Sequence, residues 1–279
     1  GHHRRQRQMC IRDSLYLVGG TWRALFKLHL FQNEYPVHII HQYSIENQKL
    51  TKFLEKISSF NKSKLKSVEY ISKSRTPYLP YSSIILEEIM NIANPKNVIC
   101  SISGIREGSL AKDLFKHSDS NFVFNKSLEH ISKKRGDLGS TYKKYFDFIK
   151  PIFEGNEHFN QKLLHLSCVL SHMDWGLGAF QKAELVFQET LNTPLLKLSH
   201  KERIQLALSC YWRYCSIKYN PKIEYLTFLN NNEIYSCKQV GAALRFANSL
   251  TSISTIFLEE FKLYKSCLLY TSPSPRDSM

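Results

Sequence analysis

Leu15-Tyr-Leu-Val-Gly-Gly-Thr-Trp22 is the stretch on which the fold turns. Four residues of β character run into a glycine pair, and Arg23-Ala-Leu-Phe-Lys-Leu-His29 continues at helical spacing. A strand, a glycine turn and a helix in that order form a loop suited to face phosphate. Gly19 and Gly20 are free to take backbone conformations closed to other residues and to let amides approach a ligand. The first turn of the next helix presents unpaired N–H groups and the positive end of its dipole to an anion. The same order also builds a plain tight turn, and Val-Gly-Gly-Thr matches neither the Walker A nor the dinucleotide fingerprint. Both readings stand at this point.

Working outward, Tyr35-Pro-Val-His-Ile-Ile-His-Gln-Tyr43 predicts a second strand, its β-branched residues led by a proline that suits a strand start. A helix follows through 48–57, with Leu50, Phe53, Leu54 and Ile57 on one face. Residues 58–67, bearing Lys62, Lys64 and Lys66, have no apolar period and read as a solvated loop. In Ser72-Lys-Ser-Arg-Thr-Pro-Tyr-Leu-Pro-Tyr-Ser-Ser83, two prolines hold the approach to a helix over 84–93. Pro80 suits the first turn of that helix, and Ile84, Ile85, Ile89, Ile92 and Ala93 are expected to face a core. Asn94-Pro95 ends it. Residues 97–102 then predict a short buried strand, running into Ser103-Gly-Ile-Arg-Glu-Gly-Ser-Leu110, a second strand–glycine–helix junction. Alternating strands and helices from 15 to 116 predict an α/β layer with a mainly parallel sheet.

Two glycine turns at strand ends belong on one rim of such a sheet, where ligands of open α/β folds bind. Arg75 and Arg106 are then natural partners for phosphate oxygens, because a guanidinium forks onto them with two hydrogen bonds. Each is equally a surface arginine pairing with a neighbouring carboxylate such as Glu107.

From Ser118 the pattern changes. Residues 122–140 are polar and broken by Gly136 and Gly139. Helices are predicted over 141–153, 159–173, 179–191, 201–219 and 238–263, punctuated by Pro151, Pro194 and Pro221. His158, His165 and His172 recur every seven residues, near one helix face, and His172 with Asp174 offers imidazole and carboxylate to a zinc-like ion. Half-buried helix-face histidines fit the same spacing, and the adjacent His-Asp pair of an HD-type metal phosphohydrolase is missing. No Gly-x-Ser-x-Gly or other nucleophile constellation occurs. Glu87 and Glu88 read as solvated or capping, and Tyr211, Trp212, Tyr214 and Tyr219 as core.

The totals set bounds. The 279 residues suffice for two domains, and the net charge of +14 favours a polyanionic partner, or solubility alone. No apolar run reaches the ~20 residues of a membrane helix, and no secretory signal is visible. The seven cysteines stand singly, without a Cys-x-x-Cys pair, as in a reduced cytoplasmic protein. Residues 1–14 and 266–279 share an Arg-Asp-Ser tripeptide and read as a non-native leader and tail. Removing the charges of the two ends leaves about +11.

Taken together, Leu-Val-Gly-Gly-Thr-Trp-Arg-Ala-Leu (17–25), Tyr-Pro-Val-His-Ile-Ile-His-Gln-Tyr (35–43), Arg-Thr-Pro-Tyr-Leu-Pro-Tyr (75–81) and Gly-Ile-Arg-Glu-Gly (104–108) resemble the exopolyphosphatase / guanosine pentaphosphate phosphohydrolase (Ppx/GppA) family in order and spacing. Leu170-Ser-His-Met-Asp-Trp175 and Leu198-Ser-His200 resemble that family's helical, HD-like domain, although relatives carry Ser-Asp-Ile-Gly-Trp at the first of these. The resemblance covers about residues 15–265. It implies an actin/Hsp70-like (ribonuclease H-like) fold of which the chain holds the second lobe, residues 15–117, followed by a helical HD-like domain, 118–265. The family's catalytic glutamate, phosphate loops and Mg²⁺ site are then expected in a first lobe upstream, so that no catalytic residue and no metal site is expected in this fragment.

What the resemblance leaves is one wall of a cleft: Gly19, Gly20 and Thr21 at the phosphate or nucleotide edge, Arg75 and Arg106 as anion contacts, and Glu107 orienting an arginine or capping a helix. The intact enzyme is expected to be a cytoplasmic hydrolase that releases terminal phosphate from polyphosphate or guanosine pentaphosphate and needs Mg²⁺; polyphosphate or guanosine penta- or tetraphosphate is the expected partner, and the oligomeric state, a homodimer among the options, stays open. Neither membrane nor specific nucleic acid is an expected partner, and the fragment itself is expected to be inactive. Two other classes stay open: a non-catalytic polyanion- or nucleotide-binding regulatory protein, and an HD-type metallohydrolase centred on His165, His172 and Asp174.

Overall fold

A computed structural model describes residues 13–59, 71–114, 120–136, 141–172, 178–193, 195, 198–251 and 257–264. Lys62, Lys64, Lys66 and Asp174 lie outside them. The chain divides into two compact units, residues 1–123 with 192–203, and residues 124–191 with 204–279.

Three strands, β1 (Ser14–Val18), β2 (Tyr43–Glu46) and β3 (Asn97–Ser101), form the sheet of the first unit in the order β1-β3-β2. β1 runs parallel to β3, pairing Val18 with Ser101. β2 runs antiparallel to β3, pairing Tyr43 with Cys100, so the sheet is mixed rather than mainly parallel. The cause is the return path of the chain. Helix α1 (Gly20–Gln32) leads away from the end of β1, and residues 33–42 climb back before β2 begins. That return is also why no strand spans 35–43 and why the strand begins only at Tyr43. Glu34 and Gln42 take positive φ (47° and 65°), Pro36 has no N–H for a ladder, and the Tyr35 amide is spent on the Leu30 carbonyl (3.0 Å). β1 itself starts at Ser14, one residue inside the stretch read as a leader, and the Asp13 carbonyl accepts from the Asn97 amide (3.0 Å).

Helix α2 (Asn47–Ser58) follows β2, and helix α3 (Leu79–Ala93) follows a 3₁₀ turn over Thr76–Tyr78; the two complete the layer. Leu17, Val98, Cys100, Tyr43 and Ile45 of the sheet share one apolar core with Leu25 and Phe26 of α1, Leu50, Leu54 and Ile57 of α2, and Leu86 and Met90 of α3. The period-two alternation of β1 holds Leu17 in and leaves Tyr16 and Val18 out. α3 corrects the sequence reading. It buries Leu79, Ser82, Ser83, Leu86 and Met90, while Ile84, Ile85, Ile89 and Ile92 are exposed. Ser82 and Ser83 return their hydroxyls to the Tyr78 and Leu79 carbonyls (2.8 and 2.9 Å), so two small polar residues sit inside without unmet hydrogen bonds. Helix α4 (Ile105–Leu114) follows β3 and buries no side chain.

The second unit is helical: α5 (Ser120–Lys134, its first residues in the first unit), α6 (Thr141–Phe153), α7 (Gln161–Leu170), α8 (Ala179–Asn192), α9 (His200–Tyr214, beginning in the first unit), α10 (Ile223–Leu226), α11 (Asn231–Thr251) and α12 (Phe257–Glu260). The polar 122–140 stretch is thus largely helix, ended at Gly136 with φ 80°. Asn160 caps α7 by accepting the Leu163 amide (2.9 Å). α9 and α11 touch at Gly241, where a Cβ would lie 2.6 Å from that of Trp212. Arg213 is buried; it donates to Ser171 Oγ and Asn248 Oδ1 (both 2.8 Å) and lies against the Tyr145 and Tyr214 rings. Cys100, Cys168, Cys210, Cys215 and Cys237 are free and buried. Burial pushes the Cys100 and Cys237 thiols up to about 12 and that of Cys210 to about 11, which keeps them protonated and inert. Among the described residues no helix is long and apolar enough to cross a membrane.

Candidate anion-binding site

Because β1 and β3 are adjacent and parallel, their carboxyl ends open side by side, and each leads through a glycine turn into a helix. Gly19 precedes α1 with φ 132° and ψ 163°, a region that essentially only glycine occupies. Gly20 is required for a different reason. A Cβ there would sit 2.5 and 2.8 Å from the terminal nitrogens of Arg75. The bare Cα lets that guanidinium lie on the turn, where Nη1 donates to the Gly20 carbonyl (3.2 Å). α1 has no side-chain cap and no acidic residue in its first turn, which includes Thr21. Its N-terminal dipole end and the Arg75 charge therefore reinforce one another.

The β3 turn is built differently. Ser101 Oγ accepts the Ser103 amide and donates to the Ser103 carbonyl (3.2 and 3.1 Å), and the Gly104 amide donates to Glu107 Oε2 (2.6 Å). The Glu107 carboxyl is held below the usual range by its own backbone amide and then by that of Gly104. It caps α4 from within, as in a capping box. The two turns are in touch. A Cβ on Gly104 would lie 3.7 Å from Val18 Cγ1, and Arg23, from the first turns of α1, donates to the Ile102 carbonyl (3.0 Å).

The structure thus places Gly19, Gly20, Thr21 and Arg75 together at one strand end, with Arg106 and Glu107 on the neighbouring turn. Arg75 and Arg106 are exposed, and among the described residues neither makes an ion pair. The sequence reading missed Arg23 and His41. Arg23 directly follows the Gly-Gly-Thr-Trp turn, a position from which an arginine reaches the next strand end. His41 lay inside a predicted strand, and its Nδ1 accepts the Ile102 amide (3.4 Å).

The donors gathered here are guanidinium and amide N–H groups, which suit an anion. A hard cation such as Mg²⁺ takes several oxygen ligands, and the carboxylate of this rim is already spent on the α4 cap, so these residues do not fit a magnesium site. In the second unit, His165 is half-buried and stacked on Phe146 (centroids 3.8 Å apart, planes at 18°). Its basicity is lowered by burial against the opposing pull of Asp147. Among the described residues no three His, Cys, Asp or Glu side chains converge to hold a metal ion.

Residues 11–117 match the model of the Ppx/GppA phosphatase family, a span that takes in all three strands and both glycine turns. No curated protein matches the chain. That family fits an actin-like fold, and the described residues are mostly helical with a small three-stranded sheet. From one strand-end glycine turn to the other, the segment 11–117 is what carries the likeness of this chain to the Ppx/GppA phosphatase family.

Proposed function

We propose that the rim formed by Gly19, Gly20, Thr21, Arg75 and Arg106 grips the terminal phosphates of a phosphoanhydride chain, polyphosphate or guanosine pentaphosphate. In this reading it is the anion-holding wall of a Ppx/GppA-type phosphohydrolase, and residues 15–117 are the second lobe of its actin-like domain. The observation that carries the reading is the Arg75 guanidinium lying on the Gly20 carbonyl, where the unblocked N-terminus of α1 opens at a strand end. In the complete reaction water attacks the end phosphorus, the bridging P–O bond breaks, and cationic groups offset charge on the non-bridging oxygens. A Mg²⁺ ion, if the intact enzyme uses one, would add to that neutralisation and would have to be held by residues other than these. The rim contributes grip and charge but no base, because Glu107 is occupied as a cap. The chain alone is therefore a polyanion binder without turnover.

Calorimetric titration with inorganic tripolyphosphate tests this. Arg75→Ala is expected to weaken binding about tenfold, the worth of one charge-assisted contact. Equal binding by the variant overturns the site, and phosphate released above a buffer control in the presence of Mg²⁺ overturns the claim of no turnover.

A further inference from the structure

His41 stands at the top of the returning segment 33–42, where that segment meets the end of β3. The ring is buried. A backbone N–H can only donate, so Nδ1, which faces the Ile102 amide at 3.4 Å, carries no proton, and the proton of the neutral ring sits on Nε2. Nε2 is buried and has no hydrogen-bond partner among the described residues.

It is braced from behind. His200 Nε2 lies 3.1 Å from the His41 carbonyl, which can only accept, so Nε2 donates and Nδ1 is left to accept the Tyr35 hydroxyl at 3.1 Å. His200 also stacks on Tyr43 (planes at 12°). On the far side, the carbonyl of the residue that His41 holds by its amide is held by Arg23. Ile102 is therefore gripped at both backbone groups, and Gly104 and Arg106 follow directly from it.

We infer that His41 is a positioning residue of the anion rim: its neutral ring keeps the 102–104 turn beside the Gly19–Gly20 turn, and taking up a proton releases it. Protonated Nδ1 would point N–H against N–H at Ile102 and turn an attraction into a repulsion. The charged groups facing His41 oppose protonation near neutrality. Arg203 disfavours a second positive charge there, and the neighbouring His200 is held neutral by its own burial. Burial and then Arg203 lower the basicity of His41 itself, so release belongs below the pH range in which an ordinary imidazole titrates. The inference rests on the anion-binding reading above and adds to it a pH-dependent hold on one half of the rim.

The full chain tests it in two ways. In ¹⁵N-labelled protein the Ile102 amide resonance is followed from pH 7.5 to 5 for the parent and for His41→Asn, whose Oδ1 is an acceptor that does not titrate. In parallel, tripolyphosphate is titrated into the parent, His41→Asn, His41→Leu and Arg75→Ala at each pH, with circular dichroism recording that each is folded.

The expected result is an Ile102 resonance that shifts on acidification in the parent and stays still in His41→Asn. Parent affinity should fall roughly three- to tenfold relative to His41→Asn over the same range, the worth of one hydrogen bond. His41→Leu should bind weakly at both ends of the range; should it fail to fold, the parent against His41→Asn decides alone. An Ile102 resonance indifferent to pH, or an equal fall in His41→Asn, overturns the role of His41 while leaving the rim intact. Parent binding no better than Arg75→Ala sinks the anion site instead, and the Ile102 titration still decides whether His41 holds the turn.

Discussion

Gly19 and Gly20 are neighbours with separable duties. Gly19 supplies a backbone conformation, φ 132° with ψ 163°, and a side chain there strains the chain whatever room surrounds it. Gly19→Ala should cost about 1–3 kcal/mol of stability, seen as a lowered urea midpoint. Gly20 supplies an absence, the missing Cβ over which Arg75 lies. The end of an arginine is flexible, so Gly20→Ala should leave the urea midpoint nearly unchanged and reduce tripolyphosphate binding as Arg75→Ala does. Reversed outcomes would mean that the turn, not the arginine, makes the site. The glycine pair was legible in the sequence because a strand and a helix bracket it. The partnership of Gly20 with Arg75, fifty-five positions away, was not, since it depends on where the Thr76–Tyr78 turn docks.

Among the elements, α3 shows where periodicity misleads. It carries two apolar stripes. Ile84, Ile85, Ile89 and Ile92 were expected inside on hydrophobicity, yet the face that packs is Leu79, Ser82, Ser83, Leu86 and Met90. The serines hid that face from a hydrophobic count, and their hydroxyls, turned back to the helix carbonyls, are what let it go inside. Leu86→Ala should therefore cost about 2–5 kcal/mol, while Ile92→Glu, at a position 80% exposed, should stay within about 0.5 kcal/mol of the parent. Denaturant titration of the two variants checks the assignment. By contrast, α2 was legible in full, because Leu50, Phe53, Leu54 and Ile57 form a single stripe and all four are buried. The direction of β2 was not legible, because it follows from the backbone turns at Glu34 and Gln42.

At the scale of the whole molecule, acid works against the fold. Burial pulls the His29 and His200 imidazoles down to about 4, so both are neutral in the native state at pH 7. Unfolded, they titrate near 6.5, so between pH 6.5 and 4 the unfolded chain binds more protons and stability falls as pH falls. Each ring contributes about 1.4 kcal/mol per pH unit in that window, or about 3 kcal/mol for the pair at pH 5.5. Urea unfolding at pH 7.5 and 5.5 measures the loss, and His200→Gln should remove close to half of it. A flat profile would mean that these rings are hydrated in solution. The net charge of +14 acts in the same direction, since added protons deepen an existing self-repulsion.

Among the described residues β1 has a strand neighbour on one side only. The other row of its amides and carbonyls meets no strand among the described residues, and Ser14–Val18 is uncharged, with Tyr16 and Val18 facing outward. Such a ribbon is a template for cross-β stacking between copies of the chain. The strand that delivers the glycine pair to the rim thus also carries, among the described residues, the edge at which a further strand would add to this sheet.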